Sequence, residues 1–238
     1  MKVSFEGKVV LVAGGTGGLG RAVSLAFLLE GAKTVVTYRS ESELTSLRET
    51  AGEHAARLEG HVVDVTDEAA IKQLVDAIVQ EHGRIDVLVN TVGGYAGGIK
   101  VWELETKTLE RMLALNLRSG YVLSRAAVLA MLGQKSGAIV NVAAKAAVDH
   151  GGGAAAYAAS KAAAVAMMDS LAEDLKGTGV RVNSILPSII DTEANRRAMP
   201  DADFAKWPKA DDIAKVVLFL ASEQARVVHG AAVPVYGN

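Results

Sequence analysis

Short valine-rich runs that alternate with stretches of helical period constrain this chain more than any other feature. Apolar runs at 8–13, 34–38, 61–65, 87–90, 138–142, 180–186 and 231–235 are too short for core helices. They are continuous rather than alternating, as in strands buried on both faces, and helical stretches separate them. That order predicts an α/β fold, one doubly wound Rossmann-type domain with a parallel sheet covered by helices on both faces. Neither glycine nor proline gathers into a linker, no solenoid period is present, and 238 residues suit one such domain across 1–238. The polar segment 191–209, with Pro200 and Pro208, follows a late strand and is expected to be the substrate loop, because loops at the carboxyl ends of the strands line the ligand crevice.

Charge and composition exclude whole classes of partner. Lys and Arg number 25 against 27 Asp and Glu, a net −2, and no basic run exists to hold nucleic acid or an anionic membrane. There is no cysteine, so disulfides, thiolate catalysis and cysteine-ligated metals are excluded, and the five histidines lack metal-ligand spacing. No metal is expected. Residues 1–7 carry no apolar leader and no stretch reaches the roughly 18 apolar residues of a membrane span. The expected location is the cytoplasm.

The first run ends in Gly14-Gly15-Thr16-Gly17-Gly18-Leu19-Gly20, with Arg21 in the helix that follows. Glycines at 14, 18 and 20 permit a tight turn, close approach to a pyrophosphate and close helix-to-strand packing, and the helix N-terminus offers N–H groups to phosphates. A tight turn that binds nothing is the plain alternative, and a Walker loop is excluded because no Lys-Ser/Thr pair follows. The second run ends in Tyr38-Arg39-Ser40, without the carboxylate that would favour a free ribose 2′-OH. Arg39 can present a guanidinium fork to a phosphate and Ser40 a hydroxyl, which favours NADP(H) over NAD(H). Asp64 and Val65, at the end of the third run, would flank the adenine. Otherwise Arg39 is a solvated arginine and Asp64 a turn cap.

Tyr157 and Lys161 are four apart in a helical stretch and so share a face. An ammonium beside a phenol would lower the phenol's pKa from about 10 and let it exchange protons near neutrality. Together with the glycine turn, the Asn90-Thr91-Val92-Gly93 segment, Asn116, Tyr157-Ala158-Ala159-Ser160-Lys161 and the stretch 183–192, the pair resembles the short-chain dehydrogenase/reductases over nearly the whole chain. The resemblance implies a seven-stranded parallel sheet, a nicotinamide cofactor and a small-molecule substrate. It implies Asn116 as organiser of a proton-relay water, Tyr157 as the acid, and Lys161 as its partner and holder of the nicotinamide ribose. Pro187, Ile190 and Thr192 would border the nicotinamide. Long helices at 104–132 and 154–175 imply a homodimer or homotetramer, and their small apolar residues point the same way.

One member of the family's set is absent: the serine expected thirteen residues before the tyrosine is Ala144. Either the protein binds cofactor without turnover, or Lys145 replaces the serine, or the substrate needs no such donor. Local patches resemble the quinonoid dihydropteridine reductases, namely the loop 93–98 around Tyr95, the segment 144–149, and 195–207 with Trp207. Arg39 departs from that group, which carries an acidic residue near there. A quinonoid substrate accepts hydride and a proton at conjugated nitrogens, forms no alkoxide, and could stack on Tyr95 and Trp207. Both aromatics also suit a packing role, and Lys145 a surface one. The leading expectation is an NAD(P)H-dependent reductase of a conjugated imine or quinonoid substrate; the alternatives are a carbonyl reductase with an altered site and a noncatalytic NADP(H)-binding sensor.

Overall fold

The computed structural model describes residues 3–237, so Met1, Lys2 and Asn238 of the expected domain lie outside the described residues. Strands β1 (Val9–Ala13), β2 (Lys33–Tyr38), β3 (Leu58–Val62), β4 (Val87–Asn90), β5 (Gly137–Val142), β6 (Val180–Pro187) and β7 (Ala232–Val235) form one sheet in the order β3-β2-β1-β4-β5-β6-β7. Every neighbouring pair is parallel. The winding reverses between β1 and β4, which opens a crevice beyond their carboxyl ends.

Successive residues of β1 point to opposite faces, and both faces are apolar because both are covered. Val10 and Val12 pack with α1 (Gly18–Leu29), α2 (Glu41–Ala51) and α8 (Ala210–Ala221), whereas Val9, Leu11 and Ala13 pack with α3 (Glu68–His82), α5 (Ser119–Gln134) and α6 (Ala155–Asp174). This is the physical reason for the valine-rich runs. Phe27 of α1 is fully buried, edge-on to Phe5 at 4.7 Å between centroids, and truncating such a ring costs about 3–5 kcal/mol.

Two elements depart from the sequence expectation. β3 occupies Leu58–Val62 rather than 61–65, paired from Thr34↔Leu58 to Tyr38↔Val62. As an edge strand it needs no continuous apolar run: Glu59 accepts from His61 at 2.6 Å and from His82 at 3.0 Å, and Val62 is exposed. Asp64 and Val65 therefore sit in the loop beyond β3, not at its end. The helix expected at 104–132 is two helices, α4 (Thr106–Leu113) and α5, joined by a π turn over Ala114–Arg118. The wide turn re-aims one residue, Asn116, and such turns recur at functional sites. Segment 191–209 holds α7 (Glu193–Ala198) and is closed at its base by a bridge between Asp191 and Lys209.

Candidate active site

The glycine turn shows why these positions tolerate no side chain. Gly14 has φ +72°, and its N–H donates to Thr37 Oγ1 at 2.9 Å. A Cβ on Gly20 would stand 2.0 Å from the Gly14 carbonyl oxygen, and one on Gly18 would stand 2.9 Å from Thr192 Cγ2. Gly17 is the N-cap of α1 and offers no capping side chain, so the first-turn N–H groups of Gly18, Leu19 and Gly20 keep the partnerless character that suits a phosphate. Leu19 contributes only backbone there, its side chain being buried in the core. The cradle fits a dinucleotide pyrophosphate.

Beside the turn lies a crevice of about 270 Å³ whose walls include Thr16, Tyr38, Arg39, Val65 and Gly93. Arg39 is exposed, while the Tyr38 hydroxyl donates to Glu41 and the Ser40 hydroxyl pairs with Ser42 at 2.7 Å. Tyr38 and Ser40 thus spend their polar atoms on the first turn of α2. Asp64 does not face this crevice: its carboxylate accepts from the backbone N–H and hydroxyl of Thr66 at 2.9 and 2.8 Å. Those bonds, with a smaller contribution from the Arg39 charge, hold its carboxyl below the usual aspartate range. Asp64 is a turn residue, and the buried Val65 supplies the crevice wall. Asn90 is buried and structural, donating to Asn141 Oδ1 at 3.1 Å and accepting from the Val92 N–H at 3.1 Å.

Toward the other end of the crevice, the π turn presents Asn116 to the loop after β4. Its Oδ1 accepts from the Gly94 N–H at 2.9 Å, and its Nδ2 donates to the Gly94 carbonyl at 3.0 Å and to Ser160 Oγ at 2.9 Å. Ser160 donates in turn to the Tyr157 carbonyl at 2.8 Å. Lys161 is buried and donates to the Val142 carbonyl at 2.9 Å. A Cβ at Gly93 would meet Asn116 Oδ1 at 2.9 Å and Lys161 Nζ at 3.1 Å, so only glycine fits between them. Asn116 is thus tied through Ser160 to the Tyr157 backbone, while Lys161, one turn further along the same helix, is held separately on Val142.

The electrostatics reverse one expectation. Burial pushes the Tyr157 phenol up to about 12, with the Tyr95 phenol adding to the rise. Burial also brings the Lys161 ammonium down to about 8. Desolvation is the leading cause of both shifts. In this state Tyr157 is a protonated donor at neutral pH rather than a phenolate.

Ala144 is buried on extended backbone, at the start of a 3-10 turn over Lys145–Ala147. Lys145 does not take up the missing serine's place: its ammonium pairs with Asp149 at 3.1 Å and lies 5.4 Å over the Tyr236 ring. Trp207 packs against Phe204 at 4.9 Å between centroids, as an anchor of the 191–209 segment. Tyr95 is exposed and edge-on to Tyr157. After β6, which ends at Pro187, the Ile190 carbonyl accepts from Asn195 Nδ2 at 2.8 Å and Thr192 Oγ1 caps α7 by accepting from the Asn195 N–H at 3.2 Å. Thr91, expected only as part of its segment, donates its hydroxyl to the Ala13 carbonyl at 2.7 Å, and Glu43, not expected from the sequence, accepts from Thr16 Oγ1 at 2.9 Å. Thr91 was signalled by its glycine-flanked segment; Glu43 had no signal, because its reach depends on how α2 docks. Glu59, Glu81 and His82 bring ligand atoms within 4.8 Å, but Glu59 is already shared by His61, His82 and Lys33.

A sheet of this winding, opening its glycine turn onto a half-buried tyrosine and a buried lysine, defines a class: the dinucleotide-binding α/β oxidoreductases. The short chain dehydrogenase family profile matches residues 8–203, and the chain belongs to that family. It is an NAD(P)-dependent reductase or dehydrogenase. It is 32% identical over 241 residues to the 3-oxoacyl-(acyl-carrier-protein) reductase FabG of Thermotoga maritima, covering 98% of both. It is 34% identical to the D-threitol dehydrogenase of Mycolicibacterium smegmatis, covering 98% of this chain and 93% of that protein. Among solved structures, ElxO with NADP bound superimposes with a TM-score of 0.91 at 25% identity over 97% of each chain. Levodione reductase does so with a TM-score of 0.91 at 29% identity, over 97% of this chain and 96% of that one. No helix among the described residues is long and apolar enough to cross a membrane.

Proposed function

We propose that the chain is an NADP(H)-dependent reductase of a small-molecule carbonyl, of the 3-oxoacyl or simple ketone type, and that it works in the cytoplasm as a homodimer or homotetramer. The observation that carries this reading is the placement of Tyr157, whose backbone is tied through Ser160 to Asn116 and which shares a helix with the buried Lys161. The relatives named above as reductases and a dehydrogenase support carbonyl chemistry over quinonoid chemistry. The cofactor, when bound, supplies the hydride. Tyr157 donates the proton to the oxygen that gains charge. Lys161 spends one N–H on Val142 and has two left to hold a ribose and to offset the phenolate as it forms. Asn116 fixes Gly94 and so the floor of the loop that carries Tyr95. Segment 191–209 would border the substrate, and Pro187, Ile190 and Thr192 would hold the nicotinamide end of the cofactor.

A conjugated imine or quinonoid substrate is the second reading, favoured by one feature: the buried methyl of Ala144 offers no hydroxyl to a developing alkoxide. The experiment compares NADPH oxidation with a 3-oxoacyl thioester, a simple ketone and quinonoid dihydropterin, in the parent and in Ala144→Ser. The carbonyl reading expects the parent to prefer the thioester or ketone, and Ala144→Ser to raise that activity by up to about 10², the size of one oxyanion donor. Faster reduction of quinonoid dihydropterin by the parent, with carbonyl substrates left poor in Ala144→Ser, overturns it in favour of the second reading. Tight NADPH binding with no turnover of any substrate overturns both.

A further inference from the structure

Among the described residues that line the crevice beside the glycine turn, Arg39 is the one cation and Glu43 the one carboxylate. Glu43 stands in the first turn of α2, and its Oε2 accepts from the hydroxyl of Thr16, itself buried in the glycine turn. The carboxylate is therefore anchored across the mouth that Arg39 borders. Arg21, the basic residue nearest the turn, is committed elsewhere, donating to Ser46 Oγ and the Ser46 carbonyl, each at 3.1 Å. The field of Arg39 is shared with Asp64 as well. A phosphate entering here, with a charge of about −1.5 to −2, meets one guanidinium and one fixed carboxylate. A hydroxyl entering here meets an acceptor.

We propose that Glu43 is a cofactor-selecting residue: it opposes a 2′-phosphate that Arg39 attracts and accepts a hydrogen bond from a free ribose hydroxyl, so cofactor choice follows the balance of the two side chains. This rests on the reading of the crevice as the seat of the adenosine ribose. Glu43 lies five residues beyond Tyr38, past the strand end where such a carboxylate would be sought in a sequence, and only the docking of α2 brings it to the turn.

The test is fluorescence titration of NADPH and of NADH into the parent and into Glu43→Gln. The amide still accepts from Thr16, so the substitution removes charge and keeps shape. The expected result is a rise of about tenfold in the ratio of NADPH to NADH affinity, shrinking as ionic strength is raised from about 0.05 to 0.5 M. A ratio that stays within about twofold of the parent's, or equal tightening of both cofactors, overturns the role of Glu43 while leaving the crevice reading intact. If neither cofactor binds the parent, the crevice reading fails and takes this inference with it.

Discussion

The ring of Tyr95 stands edge-on to the ring of Tyr157, with centroids 5.0 Å apart and planes at 76°. Tyr95 is 68% exposed, so its ring shields Tyr157 from water at its own expense. The contact adds to the rise of the Tyr157 pKa that burial begins. Tyr95→Ala is expected to lower the Tyr157 pKa from about 12 toward the ordinary 10.0. Phenolate absorbance across the alkaline range, with Tyr157→Phe as the blank, measures this, and an unmoved titration would refute the shielding.

Tyr157→Phe keeps the ring contact and removes only the acidic hydroxyl. Turnover should fall by about 10² to 10⁴ while NADPH binding stays nearly intact, as for the loss of a proton donor. Steady-state rates and a binding titration on the same preparation separate the two effects. A parallel loss of binding would make the hydroxyl a structural group instead.

Lys161 and Tyr157 give opposite pH dependences. The folded protein holds the Lys161 pKa at about 8, below its ordinary 10.5, so its buried charge is a penalty at neutral pH. Between those values the unfolded chain keeps the proton that the folded chain has shed, and stability rises with pH. Tyr157 acts the other way above pH 10.0, where the unfolded chain loses a proton that the folded chain keeps to about 12. The cofactor-free protein should therefore gain on the order of 2 kcal/mol from pH 8 to 10 relative to Lys161→Met, while above pH 10 Tyr157 lowers the stability of both proteins alike. Urea unfolding of both proteins across the range would show a flat difference if the ammonium were not desolvated.

Arg39→Ala should erase much of the preference for NADPH. A charge-assisted phosphate contact of this kind is worth about 1 to 3 kcal/mol, or roughly tenfold to a hundredfold in affinity. NADH affinity should change little. Equal affinities for the two cofactors in the unmodified protein would remove Arg39 from the assignment.

The outer faces of α5 and α6 leave Leu129 71% and Tyr121 44% exposed, flanking a groove that Met167 and Leu171 complete. A second copy covering this face is expected to bury Leu129 for about 1.5–3 kcal/mol. Light scattering at micromolar concentration should report a dimer or tetramer, and Leu129→Lys should shift it toward monomer. A monomeric parent would leave the groove without this role.

The order of valine runs and helical stretches was enough to specify the class of fold, because a strand buried on both faces has to be apolar at every position and must be covered by helices on both sides. The glycine turn was legible for a related reason: Gly14 and Gly20 are demanded by backbone geometry and close approach, which leave their mark in residue type. The spacing of Tyr157 and Lys161 placed them on one helix face. Tertiary structure decided the rest. It moved β3 toward the N-terminus, since an edge strand obeys its neighbour's register more than an apolar pattern, and broke a long helix at a π turn so that Asn116 could bond both backbone groups of Gly94. It also set the sense of the pKa shifts, because desolvation depends on what surrounds a group in space and not on what lies four residues away. Glu43 at Thr16 follows from helix docking and side-chain reach, quantities that no spacing in the sequence encodes.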